Sequence, residues 1–180
     1  EDILNEILPE AYSVGEVKRI LESTLQLAPE IIPSLAIGFF AGLRPNELLI
    51  LNWEDINFDE RIIRVSPEAA KKRRQRFVDM SENLIAWLLP HCKTTGPISV
   101  ASTKFLRKRA EVLKSASVNK WIRDGLRHTF ATYHLAAKQD PSATAFQLGH
   151  GRNPDLLYQH YRQLAKQSEG IRFWKIFPSS

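Results

Sequence analysis

The chain contains a single cysteine, Cys92, in 180 residues. That excludes an internal disulfide and suits a reducing compartment. No apolar run approaches the roughly 18 residues that a membrane span requires. The opening Glu1-Asp2-Ile3-Leu4 has neither the basic start nor the apolar core of a secretory signal, so a cytoplasmic location without membrane attachment is expected. There is no initiator methionine, and the expectation is a piece of a longer protein. His128, His134, His150 and His160 lack ligand spacing, and no carboxylate or cysteine cluster joins them, so no metal site is expected. Internal repeats and low-complexity stretches are also missing. What remains is ordinary for one globular domain with its own core: 43% hydrophobic and 25% charged residues.

The charge is unevenly spread. Residues 1–60 carry 12 acidic and 3 basic side chains, whereas residues 61–180 carry 8 acidic and 22 basic. A positive field concentrated in this way favours a polyanionic partner through phosphate neutralisation and counterion release. A solvated basic face without a nucleic-acid partner is the plainer alternative.

The pattern predicts a mainly helical fold with a small antiparallel β-sheet. Residues 1–12 read as a linker. Ser13 and Glu16 form a capping box ahead of an amphipathic helix carrying Val14, Val17, Leu21 and Leu25. A nearly all-apolar helix is expected over about 30–41 and should stop at Gly42. Pro45 suits the first position of a third helix through Leu51. The β-branched segment Arg61–Val65 and the segment Arg76–Met80 read as two short strands joined by a basic loop. Helices are expected again at 81–90, 102–114, 123–137, 141–148 and 155–166, and near 168–176.

Several side chains along this framework suit phosphate chemistry. Arg44 lies between a helix stopped by Gly42 and one opened by Pro45, which would hold its fork rigidly for an anion. Lys71-Lys72-Arg73-Arg74-Gln75-Arg76 places five basic residues in six at the expected hairpin tip. A non-specific phosphate patch is one reading; the other is that Lys71 or Lys72 reaches into a groove as a proton donor. Arg123 and Arg127 would stand one helical turn apart near a helix N-terminus, where an anion between them relieves their repulsion. Asp140, Pro141 and Gly149 punctuate a helix, leaving His150 as the first loop residue. By periodicity alone, Tyr158 and Tyr161 read as aromatics packed on the core beside Leu156, Leu157 and Leu164.

The order of these pieces is more specific than any one of them. Arg44 in Gly-Leu-Arg-Pro-Asn-Glu, a lysine on a hairpin, Arg127 in Leu-Arg-His-Thr-Phe-Ala-Thr, His150 in Leu-Gly-His and a following tyrosine resemble the catalytic domain of the tyrosine recombinase (phage integrase) family. The likeness runs from about Val14 to Pro178. It implies a catalytic domain over 13–180, with 1–12 as a linker from an N-terminal DNA-binding domain that closes around DNA. It also implies a bacterial or phage-encoded DNA recombinase or integrase of a mobile element.

Under that resemblance Tyr161 attacks a phosphodiester to give a 3′-phosphotyrosine, without metal or nucleotide cofactor. Arg44 and Arg127 hold the phosphate, Lys71 protonates the leaving oxygen, and His150 donates to the phosphate. Lys72, Arg73, Arg74, Arg76 and Arg123 contact duplex DNA, on which the protein self-associates as a tetramer from free monomers. Two positions depart from the family pattern. Asp124 stands where a histidine is usual, as part of the catalytic set. Tyr158 comes earlier after His150 than the family's tyrosine, and Tyr161 slightly later. The flanking His160-Tyr161-Arg162 and the later Phe173-Trp174 match a bacterial subgroup and select Tyr161. Two other functions compatible with the same residues are a DNA-binding module that no longer cuts and a type IB topoisomerase-like strand cleavage.

Overall fold

The computed structural model describes residues 9–67, 75–149, 154–161 and 164–179. Lys71, Lys72, Arg73, Arg74, His150 and Arg162 lie outside the described residues.

The helices begin and end where local chemistry dictates. Helix α1, Val14–Leu27, starts at the Ser13–Glu16 capping box, with reciprocal hydrogen bonds of 3.1 and 2.9 Å. A short 3-10 turn, Pro29–Ile31, leads into α2, Ile32–Ala41. Every residue of α2 is buried, as an apolar helix without a polar face requires. Gly42 ends it in the left-handed conformation, φ 69°. Helix α3, Pro45–Ile50, follows at once.

The sheet then forms as three antiparallel strands in the order β1, Ile56–Asn57; β2, Ile62–Val65; β3, Arg76–Asp79. The β2–β3 pair runs in register from Ile62 opposite Asp79 to Val65 opposite Arg76, so the two expected strands pair antiparallel. Strand β1 is an addition to the sequence reading. Its two residues pair with Ile62 and Ile63, and so short a strand owes its extended state to that partner.

The remaining helices are α4, Glu82–Leu88; α5, Ser102–Ser115; α6, Gly125–Lys138; α7, Pro141–Leu148; α8, Pro154–Tyr161; and α9, Gln167–Phe173. Helix α6 begins two residues later than expected. Asp124, at φ 52°, takes the left-handed conformation as its N-cap, and Arg123 falls in the turn ahead of it. Helix α8 is described as far as Tyr161, and Leu164 lies in a turn.

Helices α2 and α6 form the centre, with α1 and α4 packed on α2 and α7 and α9 packed on α6. Their close approach depends on glycine: a Cβ on Gly38 of α2 would come within 2.5 Å of the Leu126 side chain of α6. Tyr12, inside the stretch read as linker, is 1% exposed. Its backbone N–H donates to Thr129 Oγ1, and its hydroxyl bridges the Lys120 carbonyl and the Ile122 N–H.

The C-terminal segment is seated on its own chain. Phe173 stacks on Tyr133 at 4.6 Å between ring centroids. Trp87 Nε1 and Asn83 Nδ2 both donate to the Ile176 carbonyl. No helix among the described residues is long and apolar enough to cross a membrane.

Candidate active site

The corner between α2 and α3 is held against α6 by two side chains one helical turn apart. Arg127 Nη1 donates to the Gly42 carbonyl at 2.8 Å. Phe130 packs where a Gly42 Cβ would stand, so glycine is needed here for contact as well as for its positive φ. Arg127 Nη2 donates to the Leu148 carbonyl at 2.7 Å, at the end of α7. One guanidinium therefore joins the residue before Leu43-Arg44 to the residue before Gly149-His150. Burial brings Arg127 down to about 9, and the nearby Arg44 charge adds to the effect, against a stabilising contribution from Glu47. The two arginines selected by sequence thus lie within electrostatic reach of each other.

Arg44 is also organised by Glu47. The Arg44 backbone N–H donates to Glu47 Oε2 at 2.8 Å, and its Nη1 donates to Oε1 at 3.1 Å. Glu47 is 1% exposed and receives a second, two-toothed grip from Arg76, at 2.6 and 2.9 Å. Burial alone would raise this carboxyl. The Arg76 and Arg44 hydrogen bonds and charges overcome it and bring the carboxyl down to about 2.

Arg76, expected among the DNA-contacting residues, is turned inward onto this carboxylate. Its Nε is buried with no hydrogen-bond partner among the described residues, and its stem lies against Gly149. Gln147 and Asp79 add a pair of hydrogen bonds between α7 and β3, at 3.0 and 2.8 Å. Strand β3 is therefore held to the end of α7 at both of its ends, by Arg76 against Gly149 and by Asp79 on Gln147.

Arg123 does not share a helical face with Arg127. It is exposed in the turn before α6, while Arg127 is 8% exposed within the helix. The helix starts only after the left-handed Asp124, so the expected pair of arginines on one helix face is not formed. Asp124 is exposed, and its charge acts on both His128 and Tyr161.

Tyr161, on α8, packs beside Phe130, Ala131, Leu148 and Leu157, as helical periodicity implied. Its hydroxyl is not apolar filler, because it lies 2.6 Å from His128 Nδ1. Burial pushes the phenol up to about 12; Arg127 opposes this and Asp124 reinforces it. Tyr158 is half-buried on the same helix. Sequence reasoning passed over both Glu47 and His128, although each sits inside a quoted motif, in Arg-Pro-Asn-Glu and Leu-Arg-His. His134, by contrast, is a structural histidine: its Nδ1 lies 2.7 Å from Thr144 Oγ1, and burial holds it down at about 4.

These positions fit one protein class, and comparison with known proteins agrees. The model of the phage integrase family matches residues 15–168, and the chain belongs to this family, the tyrosine recombinases. Among curated relatives, the tyrosine recombinase XerD of Staphylococcus saprophyticus is 27% identical over 176 residues, covering 85% of this chain and 58% of that protein. The integrase of Shigella phage Sf6 is 24% identical over 147 residues, covering 75% and 38%. This chain therefore spans roughly two-fifths to three-fifths of the length of those relatives. Among solved structures, XerA recombinase superposes with a TM-score of 0.71 at 22% identity, covering all of this chain and 68% of that one. XerH bound to a palindromic difH substrate in a post-cleavage complex gives 0.70 at 20% identity, covering 97% and 56%. Both establish the fold.

Proposed function

We propose that this protein cuts and rejoins duplex DNA at specific sites through a covalent 3′-phosphotyrosine at Tyr161. The observation that carries this reading is the grouping of Arg44, Arg127 and Tyr161. The Arg127 guanidinium is placed by two backbone carbonyls, and its charge acts on Tyr161 while it feels that of Arg44. A cation acting on a hydroxyl, with a second cation within its electrostatic reach, suits a phosphodiester whose non-bridging oxygens gain negative charge as the hydroxyl oxygen attacks. The energy of the broken bond is retained in the phosphotyrosine, so a free 5′-hydroxyl can reverse the attack without metal or nucleotide.

Lys71 is assigned as the donor to the leaving 5′-oxygen and His150 as a donor to the phosphate. The described residues that flank them support this assignment: Arg76, five residues after Lys71, lies against Gly149, which precedes His150. Lys72, Arg73, Arg74 and the exposed Arg123 are assigned to the DNA backbone. Arg76 contributes from within, through Glu47. Tetramer assembly on DNA and a free monomer complete the proposal.

A suicide duplex that traps the cut strand tests it: a covalent protein–DNA adduct on a denaturing gel is expected. Adduct without strand exchange but with relaxation of supercoils would favour a topoisomerase. Binding without any adduct on the protein's own target would leave a DNA-binding module.

A further inference from the structure

The reaction just proposed requires the Tyr161 hydroxyl to lose a proton, yet the family's usual histidine is replaced by Asp124. We propose that His128, one helical turn further on, is the group that takes this proton. The inference rests on the phosphotyrosine reading and adds a catalytic residue to it.

The geometry is direct. His128 Nδ1 and Tyr161 Oη are 2.6 Å apart, within the range for an O–H donor and well suited to proton transfer. The rings lie 6.0 Å apart between centroids and tilted by 37°, so the contact is made at the ring edge through Nδ1. His128 is fixed in the second turn of α6, where its backbone N–H donates to the Asp124 carbonyl at 2.9 Å. Its neighbour Arg127 is locked by the Gly42 and Leu148 carbonyls. Tyr161 is fixed by the Phe130–Leu148–Leu157 cluster. Neither ring needs to move to make the bond.

The electrostatics suit a base. Among the described residues, the charged groups that act on His128 are Asp124 and Arg127. Burial lowers its pKa, Asp124 raises it, and Arg127 lowers it. The ring is therefore neutral at pH 7, with a lone pair to offer. Asp124 favours the imidazolium once it forms. The carboxylate at the family's histidine position thus balances the charge that the base acquires.

The step balances. Tyr161 Oη bonds to phosphorus as its proton passes to His128 Nδ1. The bond from phosphorus to the 5′-oxygen breaks, and that oxygen takes a proton from the ammonium assigned to Lys71. The products are a phosphotyrosine, a His128 imidazolium, a neutral Lys71 amine and a free 5′-hydroxyl. Rejoining runs the same transfers backwards and restores both groups, so no co-reactant is consumed.

Two measurements test this. The first needs no DNA: 15N NMR of the imidazole nitrogens in the whole chain reads the tautomer. Neutral His128 with its proton on Nε2 and a bare Nδ1 is expected, and a proton on Nδ1 would overturn the assignment. The second compares adduct formation on the suicide duplex for the wild type, His128→Gln and Tyr161→Phe. Glutamine keeps a hydrogen-bonding group but is no base in this pH range. Its rate should fall by about 10²-fold or more, and the acid limb of the pH–rate profile set by His128 should vanish. An unchanged rate and profile in His128→Gln, while Tyr161→Phe abolishes the adduct, would sink the role of His128 and leave the phosphotyrosine reading standing. An adduct that persists in Tyr161→Phe would remove that reading and this inference together.

Discussion

Arg76 grips Glu47 through two parallel hydrogen bonds, and in doing so ties β3 to the first turn of α3, where Arg44 is set. The carboxylate has no exposed side-chain surface, so its charge is carried entirely by Arg76 and Arg44. Removing it strands buried guanidinium charge. Glu47→Gln should cost on the order of 3 kcal/mol, read as a lower midpoint in urea unfolding. The double variant Glu47→Leu with Arg76→Met removes both members of the pair and should recover much of the loss.

The same carboxyl gives the fold an acid limit. Glu47 is held at about 2, against an ordinary value of 4.5. Between these values the unfolded chain takes up a proton that the folded chain refuses, so this stabilisation is complete above about pH 4.5 and lost as pH falls towards 2. His134 acts in a higher window. It is held at about 4 against an ordinary 6.5, so the unfolded chain is protonated first and stability declines from pH 6.5 to 4. Each window is worth on the order of 3 kcal/mol. Denaturant unfolding measured at stepped pH should show both declines, and Glu47→Gln should flatten only the lower one.

Gly42→Ala should damage the corner that carries Arg44. The left-handed backbone costs a non-glycine residue about 1–2 kcal/mol, and the added Cβ meets the Phe130 ring. In a chain of this length about 2 kcal/mol or more corresponds to a fall in Tm of roughly 4–8 °C, measurable by calorimetry.

Arg127→Lys keeps the charge but loses the fork. A lysine ammonium cannot reproduce two diverging bonds to the Gly42 and Leu148 carbonyls together with a phosphate clamp. Adduct formation should fall by about 10²–10³-fold, with a smaller effect on DNA affinity measured by salt-controlled titration.

Asp124→Asn should move two titrations in the same direction. Asp124 raises both the His128 imidazole and the Tyr161 phenol. Its neutral replacement should lower both, as followed by NMR of the two rings.

Much of the fold was legible because helix ends are written in local chemistry. Ser13 with Glu16, Asp140 with Pro141, Gly42 and Gly149 each mark a boundary that needs no distant partner. Strand β1 was not legible, since two residues become a strand only by pairing with Ile62 and Ile63. The start of α6 was misjudged because Asp124 takes a left-handed turn that the periodicity of Leu126, Phe130 and Tyr133 does not reveal.

In the candidate site, Arg44, Arg127 and Tyr161 were singled out by their order along the chain. Glu47 and His128 were not, because their roles depend on residues 29 and 33 positions away. Arg76 was grouped with the DNA-contacting basic run for the same reason: a sequence displays its charge but not the buried carboxylate that it grips.

The most direct test is to trap the cut intermediate on a suicide duplex, digest it, and identify by mass spectrometry the peptide that remains linked to DNA. The expected result is a nucleotide attached through phosphate to Tyr161, and no linked peptide from Tyr161→Phe. Attachment at Tyr158, or a cut strand with no tyrosine-linked phosphate, would contradict it.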